Sequence, residues 1–182
     1  PHFYPPLFKK LTGREVSEVF HTIFHTYKTD WDEDSRTVRP EPVLRDFKTA
    51  EKLFPDKKKI LHFMQPHNPF IESDIDFEVT GFSKYMAEED TIADEPETEW
   101  DLARKGKISR EKVEQAFRQN TEFIINYLKE NSEEFQGKTI ITADHGNLVG
   151  EKGFYGHPGL RKEVALRKVP WVTLSDLDDA EN

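Results

Sequence analysis

Apolar positions along the chain fall into periodic blocks separated by charged stretches. Val16, Val19, Phe20, Ile23, Phe24 and Tyr27 recur at helical spacing, and a stripe of that period predicts an amphipathic helix over residues 13–28. Thr12 with Glu15 reads as its capping box, and Leu11 with Val16 as the accompanying hydrophobic staple. An acidic stretch from Asp30 to Asp34 follows, then Pro40 and Pro42, and a short helix is expected from Val43 to Phe54. Ile60-Leu61-His62-Phe63-Met64 is apolar almost throughout and reads as a buried central strand, stopped by Pro66 and Pro69. Residues 72–107 are charged and weakly patterned, an excursion with one short helix near 97–105.

The strongest periodicity lies further on. Ser109 is a helix cap with Ile108 and Val113 as its staple. Val113, Ala116, Phe117, Phe123, Ile124, Tyr127 and Leu128 make one core-facing stripe, and Asn120 falls on the same face, within reach of a neighbouring loop. Gly137 marks the stop. Thr139–Ala143 and Val169–Leu174 then read as two more buried strands, and 176–182 as a solvated acidic tail. Strand, long helix and strand predict an α/β fold, a mainly parallel sheet flanked by helices.

Composition narrows the class. The 182 residues suffice for one domain over 1–182. Twenty-two aromatic side chains (14 Phe, 3 Trp, 5 Tyr) supply the bulk of a core despite 34% charged residues. A net charge of −9 argues against nucleic acid as a partner, since phosphate backbones attract basic faces. The absence of cysteine excludes disulfides, thiolate metal sites and a cysteine nucleophile in this chain. The sequence carries no signal-peptide pattern and no apolar run long enough to span a bilayer, so localisation stays open.

Chemistry concentrates where two predicted strands end, the usual place for ligand sites in open parallel sheets. The first runs into Gln65-Pro66-His67-Asn68-Pro69-Phe70, the second into Asp144-His145-Gly146-Asn147. Glycine stands at 146, 150, 153 and 156 on the way to His157, so that loop can return toward Asp144. Adjacent Asp and His offer a hard oxygen and an imidazole nitrogen, which suit Zn, Mn, Mg or Ca.

The run Thr142–Asn147, then Gly150-Glu151-Lys152-Gly153-Phe154-Tyr155-Gly156-His157, then Val169-Pro170, resembles the carboxyl-terminal signature of the alkaline phosphatase superfamily. It is most similar to the sulfatase and phosphoethanolamine or lipoteichoic-acid transferase branches, and His62–Phe70 resembles their H-F-x-x-P-H-x-P-[YF] segment. The resemblance covers roughly residues 58–174. It implies an alkaline phosphatase-like fold, with Asp144 and His145 as ligands of a catalytic divalent cation. His67 and His157 would contact phosphoryl or sulfuryl oxygens or a second metal, and His62 would be structural.

In that family a Ser, Thr or formylglycine nucleophile and a further acidic ligand come from an amino-terminal half that begins with a buried strand. Nothing before Lys57 reads that way, and no Ser or Thr here is followed by Pro two places on and Arg four places on. The expectation is therefore the carboxyl-terminal part of a longer sulfatase-like enzyme acting on small-molecule, lipid or glycan phosphate or sulfate esters. The chain alone would bind metal weakly and turn over nothing. A non-catalytic binding domain on the same fold is the alternative. A calcium-binding module is a lesser one. Asp30, Asp32, Asp34 and Glu41 match EF-hand positions 1, 3, 5 and 12, but Ser35 stands where Gly is needed and Pro40 crowds the loop. His21 and His25 are spaced i, i+4 without a catalytic Glu between them, and read as helix-surface histidines.

Overall fold

The computed structural model describes residues 5–75 and 97–178. These divide into two units, residues 5–64 in one and residues 65–75 with 97–178 in the other. Most of the expected excursion, residues 76–96, lies outside the described residues, as does the end of the acidic tail. Among the described residues the chain is mixed α/β, with helices and two small antiparallel sheets. None of the helices is long and apolar enough to cross a membrane.

In the amino-terminal unit, α1 spans Pro5–Thr12, α2 Thr26–Thr29 and α3 Pro40–Leu53. The helix expected over 13–28 does not form. Gly13 takes φ +72° and donates its amide to the Lys9 carbonyl at 2.8 Å, so it closes α1 as a left-handed cap. Thr12 is thus the last residue of a helix and not the cap of a following one, and its hydroxyl donates back to Phe8 O at 2.7 Å. Val16–Glu18 keeps a single 3-10 turn, where Glu18 accepts from the Glu15 amide at 2.8 Å. His21 and His25 share no helix. They make edge contacts with Phe54 and Tyr27 respectively.

Helix α3 matches the expected 43–54 element and starts earlier, because Pro40 has a fixed φ and no N–H to leave unsatisfied at a first turn. It buries Leu44 and Phe47. Asp30 forms a two-pronged pair with Arg45 on α3, both contacts at 2.7 Å. That hydrogen-bonded guanidinium holds the Asp30 carboxyl down at about 2. Asp32 Oδ1 accepts from the amides of Asp34 and Ser35. The acidic loop therefore directs these two carboxylates at Arg45 and at its own backbone.

Residues 60–64 are irregular backbone, not the expected buried strand, and Ile60 is 82% exposed. A continuous apolar run becomes a strand only where neighbouring strands take up its backbone groups. The four described strands pair only with one another. His62, expected to be structural, is exposed in this stretch.

In the carboxyl-terminal unit, α4 spans Glu99–Arg104 and α5 Arg110–Glu130, close to the expected bounds. Ser109 caps α5 by accepting from the Lys112 amide at 3.3 Å. Thr98 and Asp101 cap α4 reciprocally, Thr98 Oγ1 accepting from the Asp101 amide and Asp101 from the Thr98 amide. Strands β1, Ile140–Thr142, and β4, Trp171–Thr173, pair antiparallel, with Ile141 opposite Val172. Both were expected as buried strands; they form, but none of their residues is buried, since each has a single strand partner, and no parallel pairing occurs among the described residues. Between them, β2 (Leu148–Val149) and β3 (Tyr155–Gly156) form a hairpin. Two short helices flank β4, α6 at Val164–Arg167 before it and α7 at Leu174–Asp178 after it. The beginning of the expected acidic tail is thus helical as far as Asp178.

The core of this unit is Phe70, Trp100, Ala103, Val113 and Ala116, with Ile108, Phe117 and Tyr155 against it. Phe70 meets Trp100 edge-on, ring centroids 5.1 Å apart at 88°, and Phe117 lies 6.0 and 5.7 Å from these two rings. Trp100 also closes on the hairpin, where a Cβ at Gly156 would stand 3.3 Å from the indole. Truncation of so large a buried ring typically costs roughly 3–5 kcal/mol. We expect Trp100→Ala to lower the unfolding free energy of this unit, read from urea titration, by that amount, and Val164→Ala, at an exposed position of the same unit, to change it by less than about 0.5 kcal/mol.

Candidate functional site

Asp144 and His145 leave the end of β1 through Ala143. Gly146 follows at once, and it has to be glycine: a Cβ there would sit 1.9 Å from the Ala165 carbonyl oxygen. The Gly146 amide donates to Leu166 O at 3.0 Å, and Thr142 Oγ1 donates to Pro170 O at 2.8 Å, so the 165–170 segment lies directly alongside. The β2–β3 hairpin then reverses the chain. Its register sets Leu148 opposite Gly156, which brings His157 beside the Asp144–Asn147 turn. The imidazoles of His145 and His157 are 4.2 Å apart between centroids.

His67 reaches the same place from a different part of the sequence. Its ring lies 5.9 Å from that of His157. The Gln65–Phe70 loop contains two cis peptide bonds, Gln65–Pro66 and Asn68–Pro69, and ends in Phe70, which is locked into the aromatic core. Asn120 on α5 donates its amide to the His67 carbonyl at 3.2 Å, and Glu99 on α4 accepts from the Phe70 amide at 3.1 Å. All four residues singled out from the sequence, His67, Asp144, His145 and His157, therefore converge.

The protonation pattern follows from the neighbours. His145 Nδ1 faces the Gly146 carbonyl at 3.0 Å, and a carbonyl can only accept, so Nδ1 donates and Nε2 is left to other partners. That Nε2 stands 3.6 Å from Asp144 Oδ2. His67 Nδ1 donates in the same way to Asn68 O. Burial pushes His67 down to about 4, against the opposing pull of that hydrogen bond. His157 is lowered too, by burial first and by neighbouring His145 second. His67 and His157 are thus neutral imidazoles at pH 7.

The carboxylate of Asp144 and the imidazole of His145 are donor types that suit a divalent cation. Two ligands roughly 2.1 Å from a tetrahedral ion stand about 3.4 Å apart, so the 3.6 Å separation of Asp144 Oδ2 and His145 Nε2 fits a shared ion. The Nδ1–H bond to a backbone carbonyl is also the usual orienting contact of a ligating histidine. The fit stops at two ligands. Among the described residues no group of three or more His, Asp or Glu side chains is arranged to hold a metal.

Two residues of the site had no role assigned from the sequence. Glu99, 2% exposed, and Asn120, 0% exposed, are charged or polar groups enclosed beneath the His67 loop. Desolvation raises the Glu99 carboxyl above its ordinary range. The helical stripe did place Asn120 among core positions, and that polar interruption was the available signal. Glu99 carries none, because one Glu in the first turn of a helix looks like ordinary capping chemistry.

The His67 value sets a pH dependence. Its folded pKa of about 4 lies below the ordinary 6.5, so the unfolded chain binds the proton more readily between those values. Its contribution to stability is present above about pH 6.5 and is lost as pH falls toward about 4. Urea midpoints measured across that window should decline with acidification, and His67→Gln should flatten the decline.

Comparison of the chain with protein-family models, with curated proteins and with solved structures finds no match in any of the three.

Proposed function

We propose that this chain is the carboxyl-terminal portion of an alkaline phosphatase-like enzyme, a metal-dependent hydrolase or transferase of phosphate or sulfate esters. The observation that carries the reading is the convergence of His67, Asp144, His145 and His157 from two separate stretches of sequence. In this reading the nucleophile and the remaining metal ligands come from elsewhere, and so do the parallel strands of the sheet.

Asp144 and His145 would hold a divalent cation, which when bound offsets negative charge on the non-bridging oxygens of the transferred group. The other two side chains act through their lone pairs and protons. His67, with its proton committed to Asn68 O, presents Nε2 as an acceptor at neutral pH. It can therefore take a hydrogen bond from a protonated oxygen of the substrate, and it becomes a donor to an oxyanion only once protonated. His157, packed on His145, borders the same space. The burial that keeps these rings neutral also withholds positive charge from a site that has to accept a cation.

The surroundings suit an anionic substrate. Residues 150–170 carry Lys152, Arg161, Lys162, Arg167 and Lys168 against only Glu151 and Glu163, in a chain of net charge −9. Lys152 and Arg161 both approach Glu163, at 3.9 and 3.8 Å, and Arg161 stacks on Phe154 at 3.4 Å. This cationic stretch runs beside the Asp144–Gly146 turn through the contacts with Ala165 and Leu166, where it would draw ester anions inward.

Titration with Mn2+ tests the reading. The expected outcome is weak binding that broadens the NMR signals of Asp144 and His145, and no hydrolysis of p-nitrophenyl phosphate or sulfate. Asp144→Ala and His145→Ala should each abolish the broadening. Broadening confined to other residues, tight binding that survives His145→Ala, or turnover of either ester would overturn it.

A further inference from the structure

We infer that Glu99 and Asn120 are positioning residues: from two different helices they hold the Gln65–Phe70 loop so that the His67 imidazole faces His157. The inference rests on the reading of His67 as part of the site and extends it to the groups behind it.

The two contacts bracket the loop. Asn120 donates to the carbonyl of His67 itself, and Glu99 accepts from the amide of Phe70, three residues on. Neither side chain is a natural choice for its place. Asn120 interrupts the apolar face of α5, in the stripe of Val113, Ala116, Ile124 and Leu128. Glu99 is enclosed next to Trp100, in the aromatic core. Asn120 meets the loop through its amide nitrogen and Glu99 through the Phe70 amide and the Asn68 side chain, while Asn120 Oδ1 and Glu99 Oε2 are buried without a hydrogen bond among the described residues. A buried polar atom without a partner is costly, and an apolar side chain of similar volume would avoid that cost. Packing alone therefore does not account for either residue. What the two share is the loop that carries His67.

The loop also needs holding, because its own ladder is missing. Gln65 to Phe70 belongs to neither a strand nor a helix, and prolines at 66 and 69 have no amide to donate. Phe70 anchors one end in the core by its ring. A ring anchor fixes the position of Phe70 but not the rotation of the peptide planes before it. The Asn120 contact supplies that constraint at His67, and the Glu99 contact fixes the Phe70 peptide.

The metal-free, ester-free protein is the right sample, so that failure of the metal reading leaves this test intact. Nuclear Overhauser contacts between the His67 and His157 rings are the readout, with near-ultraviolet circular dichroism reporting the fold. In Asn120→Leu and Glu99→Leu the ring-to-ring contacts should drop at least severalfold while the fold signal and the His145–His157 contacts persist. Glu99→Gln keeps the oxygen that accepts from Phe70 and should retain wild-type contacts. Unchanged His67–His157 contacts in the two leucine variants would overturn the inference. So would their loss in Glu99→Gln, or loss of the whole fold in the leucine variants, since the residues would then support the unit at large and not this loop.

Discussion

The packing of Trp100 between Phe70 and Gly156 is the constraint on which the site depends. Phe70 ends the loop that carries His67, and Gly156 directly precedes His157. One indole therefore sets the separation between two stretches of chain some ninety residues apart in sequence. Such contacts persist because a large buried ring contributes several kcal/mol. The helix that presents the indole is short, six residues. Its reciprocal Thr98–Asp101 cap holds it in register, as isolated helices of that length are not stable in water.

Around this apolar centre the unit places polar groups where an apolar chain would be more stable. Glu99 and Asn120 sit inside the core, and His67 is far enough from water that its imidazole resists protonation. Arg161 by contrast stacks on Phe154 near the chain surface, and Asp144 stays half exposed. The buried side of the site thus holds a neutral imidazole and a carboxyl raised by desolvation, while the open side carries Arg161 and Asp144.

The two antiparallel pairs matter for a simpler reason. β1 delivers Asp144 and His145 at its end, and β4 beside it brings the 163–170 segment against the same turn. The hairpin of β2 and β3 returns His157 to where the turn began. Every glycine-dependent step in this path is local, and Gly146 is the tightest, where a carbonyl oxygen occupies the space of a side chain.

Local pattern was enough for α3, α4, α5 and the two strands β1 and β4, because caps, proline placement and periodicity act over a few residues. It also singled out His67, Asp144, His145 and His157, which the folded chain brings together. It failed over 13–28, where Gly13 ends a helix that Thr12 and Glu15 suggested was beginning. It failed again at 60–64, where an apolar run needs neighbouring strands that the described residues do not provide. Strand direction was likewise out of reach, since alternation and burial say nothing about which way a partner runs. Residue identity alone marked the candidate groups. The meeting of those groups, the neutrality of His67 and the burial of Glu99 came from contacts between distant segments, because pairing, desolvation and ring packing exist only once the chain has closed on itself.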